Sequence, residues 1–238
     1  MGDYSESIFL ARVAEQADRF EDMYKHLNNA VSIKKDDLNS EERNLLSVGF
    51  KNLIGSRRTA LRNIKAIAEN PKYQHFAEAL ERYRTKIQNE LYDQCQNIAD
   101  TIQSHILPQC EGKAESKWFF FKMIADYYRY IAESAEGDKQ QEVSDRALEF
   151  YEKAMEEGNQ LESYSPIKLG LALNFSVFHF EVRDNKDEAC KLADKALKQA
   201  EAQEDNAKDD DFRDAKGIMD LLRENLDLWQ EEGNDQDD

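Results

Sequence analysis

Hydrophobic positions along this chain recur at helical spacing. Between residues 167 and 182, Leu169, Leu173, Val177 and Phe180 form one stripe, while Leu171, Phe175, Phe178 and Val182 form a second. A helix that is apolar on two sides is expected to be buried on both. Near the other end, Ile218, Leu221, Asn225 and Trp229 follow steps of three, four and four, an amphipathic stripe with one amide in it. Sustained period-two alternation of β-branched residues is hard to find, so strands are not expected.

Breaking residues divide the pattern into segments. Asn39-Ser40 followed by Glu41-Glu42 predicts an N-cap and an acidic first turn suited to the helix dipole. A long helix should run from there to about Asn70, where Pro71 ends it, and a second should run from Pro71 towards Pro108. Gly112, Gly137-Asp138, Ser165-Pro166, Asp184-Asn185 and the charged stretch 204–211 mark later boundaries. The reading is nine helices, two short ones before Ser40 and seven after it. Short connections favour antiparallel neighbours, so the expected architecture is an all-α bundle or curved solenoid. The segment 118–157, with Gly137-Asp138 at its turn and Ala147, Tyr151 and Ala154 following, is similar to a tetratricopeptide helix pair, but no fixed period persists along the chain. No linker splits it, which predicts one domain over residues 1–230 and a short acidic, disordered tail over 231–238.

Composition agrees and narrows the function. Three prolines and nine glycines interrupt 238 residues rich in helix formers. The formal net charge of −17 argues against general nucleic-acid affinity, because a phosphate backbone would meet a repulsive field. No apolar stretch is long enough to span a bilayer and the start is acidic, so a cytoplasmic location away from membranes is expected. Cys95, Cys110 and Cys190 are too scattered for a disulfide framework or a metal knuckle, and are expected as buried thiols. The four histidines lack metal-ligand spacing, and no phosphate loop, dinucleotide fingerprint or nucleophile elbow occurs. Neither an enzyme nor a cofactor is indicated.

Against this acidic background two cationic pairs stand out. Lys51 and Arg58 are seven residues apart on one predicted helix, and Lys122 and Arg129 are seven apart on another. Seven residues is two turns within about 20 degrees, so each pair shares a face. Taken alone, such pairs are more often solvated surface charges than a site. Asp126-Tyr127-Tyr128-Arg129-Tyr130 adds hydroxyl donors beside a guanidinium, whose planar fork suits phosphate. Asn174, Glu181 and Asn225 sit beside the apolar stripes, where amides could hold the main chain of an extended peptide.

The runs Arg43 to Asn52, Gly55 to Arg58, Glu115-Ser116-Lys117, Asp126 to Tyr130 and Leu169 to Phe178 resemble the 14-3-3 family, with the likeness extending from Ala14 to Trp229. The resemblance implies nine antiparallel helices in a cup-shaped, usually dimeric protomer with an amphipathic groove. It implies phosphate contacts from Lys51, Arg58, Arg129 and Tyr130, with Lys122 nearby. Asn174 and Asn225 would hold the peptide main chain beside Glu181 and Trp229, and Leu173, Val177, Ile218 and Leu221 would form the apolar wall. Dimer contacts would come from Arg19, Asp22, Tyr83, Lys86 and Glu90, with Arg19 facing Glu90 and Asp22 facing Lys86 of a like or sister chain. The implied function is a phosphoserine- or phosphothreonine-dependent adaptor for client proteins. The alternative is a tetratricopeptide-like scaffold for unmodified acidic or C-terminal peptides. Ala215-Lys216-Gly217 departs from the family's last-helix signature, so the preference for flanking residues is expected to differ. Ala60 and Leu61 replace the serine found in many members and the family's tryptophan, which removes a phosphorylation site near the dimer seam.

Overall fold

A computed structural model describes residues 3–203 and 209–234, with side chains for all of these except residues 160, 209–212 and 232–234. Nine α-helices occur among the described residues: α1 (Tyr4–Gln16), α2 (Phe20–Ile33), α3 (Ser40–Ala68), α4 (Ala77–Thr101), α5 (Ala114–Ala132), α6 (Gly137–Glu157), α7 (Pro166–Glu181), α8 (Lys186–Glu201) and α9 (Asp209–Asn234). There is no strand among those residues, and none of the helices is long and apolar enough to cross a membrane.

Local chemistry explains the boundaries. Asn39 caps α3 in a reciprocal box: Glu42 N–H donates to Asn39 Oδ1 at 3.0 Å, and Asn39 N–H donates to Glu42 Oε2 at 2.8 Å. Pro166 occupies the first turn of α7, where its missing N–H costs nothing, and Asn185 Oδ1 accepts from Glu188 N–H to cap α8. Gly112 and Gly137 take positive φ at the turns entering α5 and α6.

Two expectations need correction. The helix expected to start at Pro71 begins instead as a 3₁₀ segment, Pro71–Phe76, and becomes α-helical only at Ala77. Asn70 Oδ1 takes the N–H of Lys72 at 3.0 Å, which holds that entry in a tight turn. Short of Pro108 the helix also changes form: α4 ends at Thr101 and passes into a π turn, Ile102–Ile106, then a 3₁₀ turn, Leu107–Cys110. Pro108 has no N–H for the carbonyl four residues earlier, so the regular ladder cannot be carried through it. At the other end, α9 runs through Asn234, so residues 231–234 of the expected tail are helical. Residues 235–238 lie outside the described residues, as do 204–208 of the expected charged boundary.

The core falls into two clusters, and α7 belongs to both. Its Leu171, Phe175 and Phe178 are buried with Phe50, Phe120, Ile124, Phe150 and Tyr151 of α3, α5 and α6, and Val182 packs against this set. Leu169 is buried with Ala189, Ala193, Met219, Leu222 and Trp229 of α8 and α9, and Leu173, Val177 and Phe180 lean on that second set. The two stripes of α7 therefore map one to each cluster. Each such large side chain, when fully buried, contributes about 1.5–3 kcal/mol. This doubly anchored helix fixes the orientation of the α8–α9 pair relative to α3 and α5. Of the cysteines, Cys95 and Cys110 are buried as expected, whereas Cys190 is only half-buried. Desolvation is the main cause that pushes the Cys110 thiol up to about 12, so it stays protonated.

Candidate functional site

Helix α5 carries its polar residues on one face in ladder form. Lys122 Nζ donates to Asp126 Oδ2 at 2.7 Å, and Arg129 Nη1 donates to Glu133 Oε1 at 2.6 Å, each pair four residues apart. Arg129 Nη2 lies 3.8 Å from Asp126 Oδ1, and Arg129 Nε donates to the Tyr151 hydroxyl of α6 at 3.1 Å. The Tyr151 hydroxyl in turn donates to Asp126 Oδ1 at 2.6 Å. Asn174 of α7 completes the set by donating its amide to both Asp126 oxygens, at 3.0 and 3.1 Å. Asp126 thus joins three helices through one buried carboxylate.

Arg58 arrives from α3. Its guanidinium stands over the Tyr130 ring at 3.7 Å, with Arg129 over the same ring at 4.7 Å, and its Nη2 donates to Glu133 Oε2 at 2.8 Å. Tyr130 therefore offers its ring to both guanidinia, and the Glu133 carboxylate bridges them and offsets their repulsion. Lys51, exposed on α3, has no ion-pair partner among the described residues. It lines a groove of about 510 Å³ with Asn44, Lys122, Tyr130, Ile167 and Asn174.

The protonation states suit anion binding. Burial works against the Arg129 charge, but Tyr151, Asp126, Tyr130 and Glu133 outweigh it and raise its pKa. Burial chiefly raises the Tyr130 pKa, so its hydroxyl remains a donor at neutral pH, and no acceptor for it occurs among the described residues. Burial would raise the Asp126 carboxyl, yet the charges of Lys122 and Arg129, with hydrogen bonds from Lys122 and Tyr151, hold it below the usual carboxylate range. Glu181 shifts the other way, raised by desolvation and by the facing Glu133 charge. The result is a set of fixed cationic donors at one end of a groove, with an amide and apolar side chains beyond.

A family model described as 14-3-3 protein matches residues 10–230. The checkpoint signal transducer rad24 of Schizosaccharomyces pombe is 42% identical over 228 residues, covering 94% of this chain and 84% of that protein. The 14-3-3 protein 8 of Solanum lycopersicum is 41% identical over 226 residues, covering 93% and 86%. Protein BMH2 of Saccharomyces cerevisiae is 41% identical over 229 residues, covering 94% and 83%.

The chain belongs to the 14-3-3 family. Within this 14-3-3 chain the expected phosphate residues Arg58 and Arg129 both stand over the ring of the third, Tyr130, and Lys51 and Lys122 share the adjoining groove. The expected wall is split in character. Leu173, Val177 and Ile218 are half-buried against the second core cluster, Leu221 is 48% exposed, and Asn225 is half-buried on α9. Trp229 is 5% exposed and packs with the second core cluster, its ring stacked on Phe180 at 4.8 Å and 15°. Gly217 is exposed, and a Cβ there would meet nothing within 4 Å, so the wall is open at that point.

The five expected dimer residues lie on α4 and around the start of α2. In the single chain they pair locally: Arg19 with Asp22 at 2.5 Å and Lys86 with Glu90 at 3.9 Å, while Tyr83 is 53% exposed. A larger cavity, about 700 Å³, lies where α3 ends and α4 begins, lined by Ile64, Ala68, Tyr73 and Leu80. Its arginines, Arg82 and Arg84, are paired with Glu78 and Glu81, so it offers no convergent cations.

Residue spacing singled out the cations but not the groups that hold them. Glu133 and Asp126 each lie four residues after their cation, a signal present in the sequence. Tyr151 gave no signal beyond its place in a helical stripe, since its role depends on how α6 meets α5.

Proposed function

We propose that this 14-3-3 chain is a cytoplasmic, non-enzymatic adaptor that binds extended segments of client proteins through a phosphorylated serine or threonine. The observation that carries it is the convergence of Arg58 and Arg129 on the Tyr130 ring, beside a groove in which Lys51 has no ion-pair partner among the described residues. A phosphate at pH 7 carries about −1.5 to −2 charges and three strong acceptor oxygens, so it needs several converging donors. Arg58 and Arg129 supply forked donors, Lys51 a point charge and Tyr130 a hydroxyl. Beyond the phosphate, Asn174 keeps its amide oxygen free to accept a peptide N–H while Asp126 holds its nitrogen. Asn225 faces the same task from α9, and Leu173, Val177, Ile218 and Leu221 offer an apolar wall for the flanking side chains.

Pairing of two chains is part of the proposal. Exchanging the local Arg19–Asp22 and Lys86–Glu90 pairs for Arg19–Glu90 and Asp22–Lys86 across an interface keeps every charge matched. It would bring Tyr83, and Phe9 and Val13 of α1, which are exposed in the single chain, to a candidate seam. Two grooves on one dimer would then gain avidity for a doubly phosphorylated client. A crystal structure with a phosphoserine peptide tests both parts. The expected result is phosphate oxygens within hydrogen-bond distance of Lys51, Arg58, Arg129 and the Tyr130 hydroxyl, in a dimer with the exchanged pairs. A phosphate seated elsewhere sinks the site, and a solution mass of one chain sinks the dimer.

A further inference from the structure

Among the cations proposed to take phosphate stands a carboxylate that already occupies them. Glu133 Oε2 accepts from Arg58 at 2.8 Å and Oε1 from Arg129 at 2.6 Å, so the two oxygens bridge two guanidinia on different helices. Glu133 follows α5 as its C-cap residue, its own N–H donating to the Arg129 carbonyl at 3.0 Å. Its side chain is 25% exposed. The carboxylate is thus tethered beside its partners and competes at the high effective concentration of an intramolecular group.

The competition treats ligands unequally. A ligand carboxylate brings one negative charge and two acceptor oxygens, which is what Glu133 provides already. Displacing Glu133 with it would exchange equals and add the entropy cost of binding. A phosphate dianion brings nearly twice the charge and three oxygens, enough to engage Lys51 and the Tyr130 hydroxyl as well as the arginines. Lys51 is the cation that Glu133 does not reach, and it lines the open groove. Glu181, whose carboxyl is raised by burial and by the facing Glu133 charge, shows that negative charge already accumulates at this end of the groove.

Resting on the phosphopeptide reading, we propose that Glu133 is a specificity-determining residue: it occupies the arginine pair as an internal carboxylate and so rejects Asp and Glu side chains while yielding to phosphate. The residue acts by setting a threshold of charge that a ligand must exceed. It also explains how a site with two arginines avoids filling with ordinary peptide carboxylates.

Three peptides that differ only at one position, Ser, Glu or phosphoserine, are titrated by fluorescence polarisation against the wild-type chain, Glu133→Gln and Glu133→Asp. Gln keeps the shape and one acceptor but removes the charge; Asp keeps the charge on a shorter arm. In Glu133→Gln the Glu peptide should tighten more than the phosphopeptide, so that the ratio of their affinities falls on the order of tenfold, the scale of one charge-assisted hydrogen bond. Glu133→Asp should hold the ratio within about threefold of wild type, because the competing charge remains. An unchanged ratio in Glu133→Gln, or an equal loss for both peptides as expected of a residue that only positions the arginines, overturns the proposal. So does a ratio that falls as far in Glu133→Asp as in Glu133→Gln; if circular dichroism shows the Gln variant unfolded, Glu133→Ala, which also removes the charge, takes its place with the same expected fall. Should the wild-type chain bind the Ser peptide and the phosphopeptide equally, the underlying phosphopeptide reading fails instead.

Discussion

Lys51→Glu should weaken binding of a phosphoserine peptide by about 100-fold or more while leaving folding stability within about 0.5 kcal/mol of the wild-type chain. The two halves of that expectation have separate causes. Lys51 is exposed on α3 and has no ion-pair partner among the described residues, so its replacement breaks no native contact that the fold depends on. A hydrogen bond to a charged group is worth about 1.5–3 kcal/mol, and reversing the charge adds repulsion of the phosphate to that loss. Together they exceed the ~2.7 kcal/mol that corresponds to 100-fold. Fluorescence polarisation gives the affinity and a urea titration the stability. Affinity within threefold of wild type would move the phosphate away from α3.

Asp126→Ala should have the largest effect on stability, a loss of about 3–5 kcal/mol, because removing one partner of a buried ion pair strands the others. The stranded groups are the Lys122 ammonium, the Arg129 guanidinium, the Tyr151 hydroxyl and the Asn174 amide. Its pH dependence follows from the depressed carboxyl. A carboxylate whose folded pKa lies below its unfolded value, near 3.9, stabilises fully above that unfolded value, and the contribution is lost as pH falls through the folded pKa. The difference between wild type and Asp126→Ala should therefore be full at neutral pH and shrink only below about pH 4. Urea midpoints measured from pH 7 down to pH 3 check this. A deficit under 1 kcal/mol at pH 7, or one that grows in acid, would show that Asp126 does not hold the three helices together.

These two residues also show where the sequence was legible. Lys51 and its partners at seven-residue spacing could be placed on shared helix faces, because periodicity says which side chains lie on one face. It does not say which faces meet. The role of Asp126 needed the approach of α6 and α7, whose Tyr151 and Asn174 reach it from far along the chain. Helix α7 is the favourable case: its two apolar stripes each found a separate core cluster, since a doubly apolar helix must be covered twice. The last helix is the opposite case. Leu221 and Trp229 belong to one stripe by spacing, yet Trp229 is buried and Leu221 is open, because Phe180 stacks on the Trp229 ring. Turn chemistry was readable where it is local, as at Asn39 and Pro166. The 3₁₀ entry after Pro71 and the π turn before Pro108 escaped, since a proline marks a break without stating what replaces the α-helix.

The most direct test of phosphate-dependent binding is the affinity of the wild-type chain for one extended peptide made with and without phosphate on its serine, measured by fluorescence polarisation at physiological salt. The phosphorylated form should bind at least about 100-fold more tightly, the combined effect of at least two charge-assisted hydrogen bonds. Equal binding of the two forms would contradict the account.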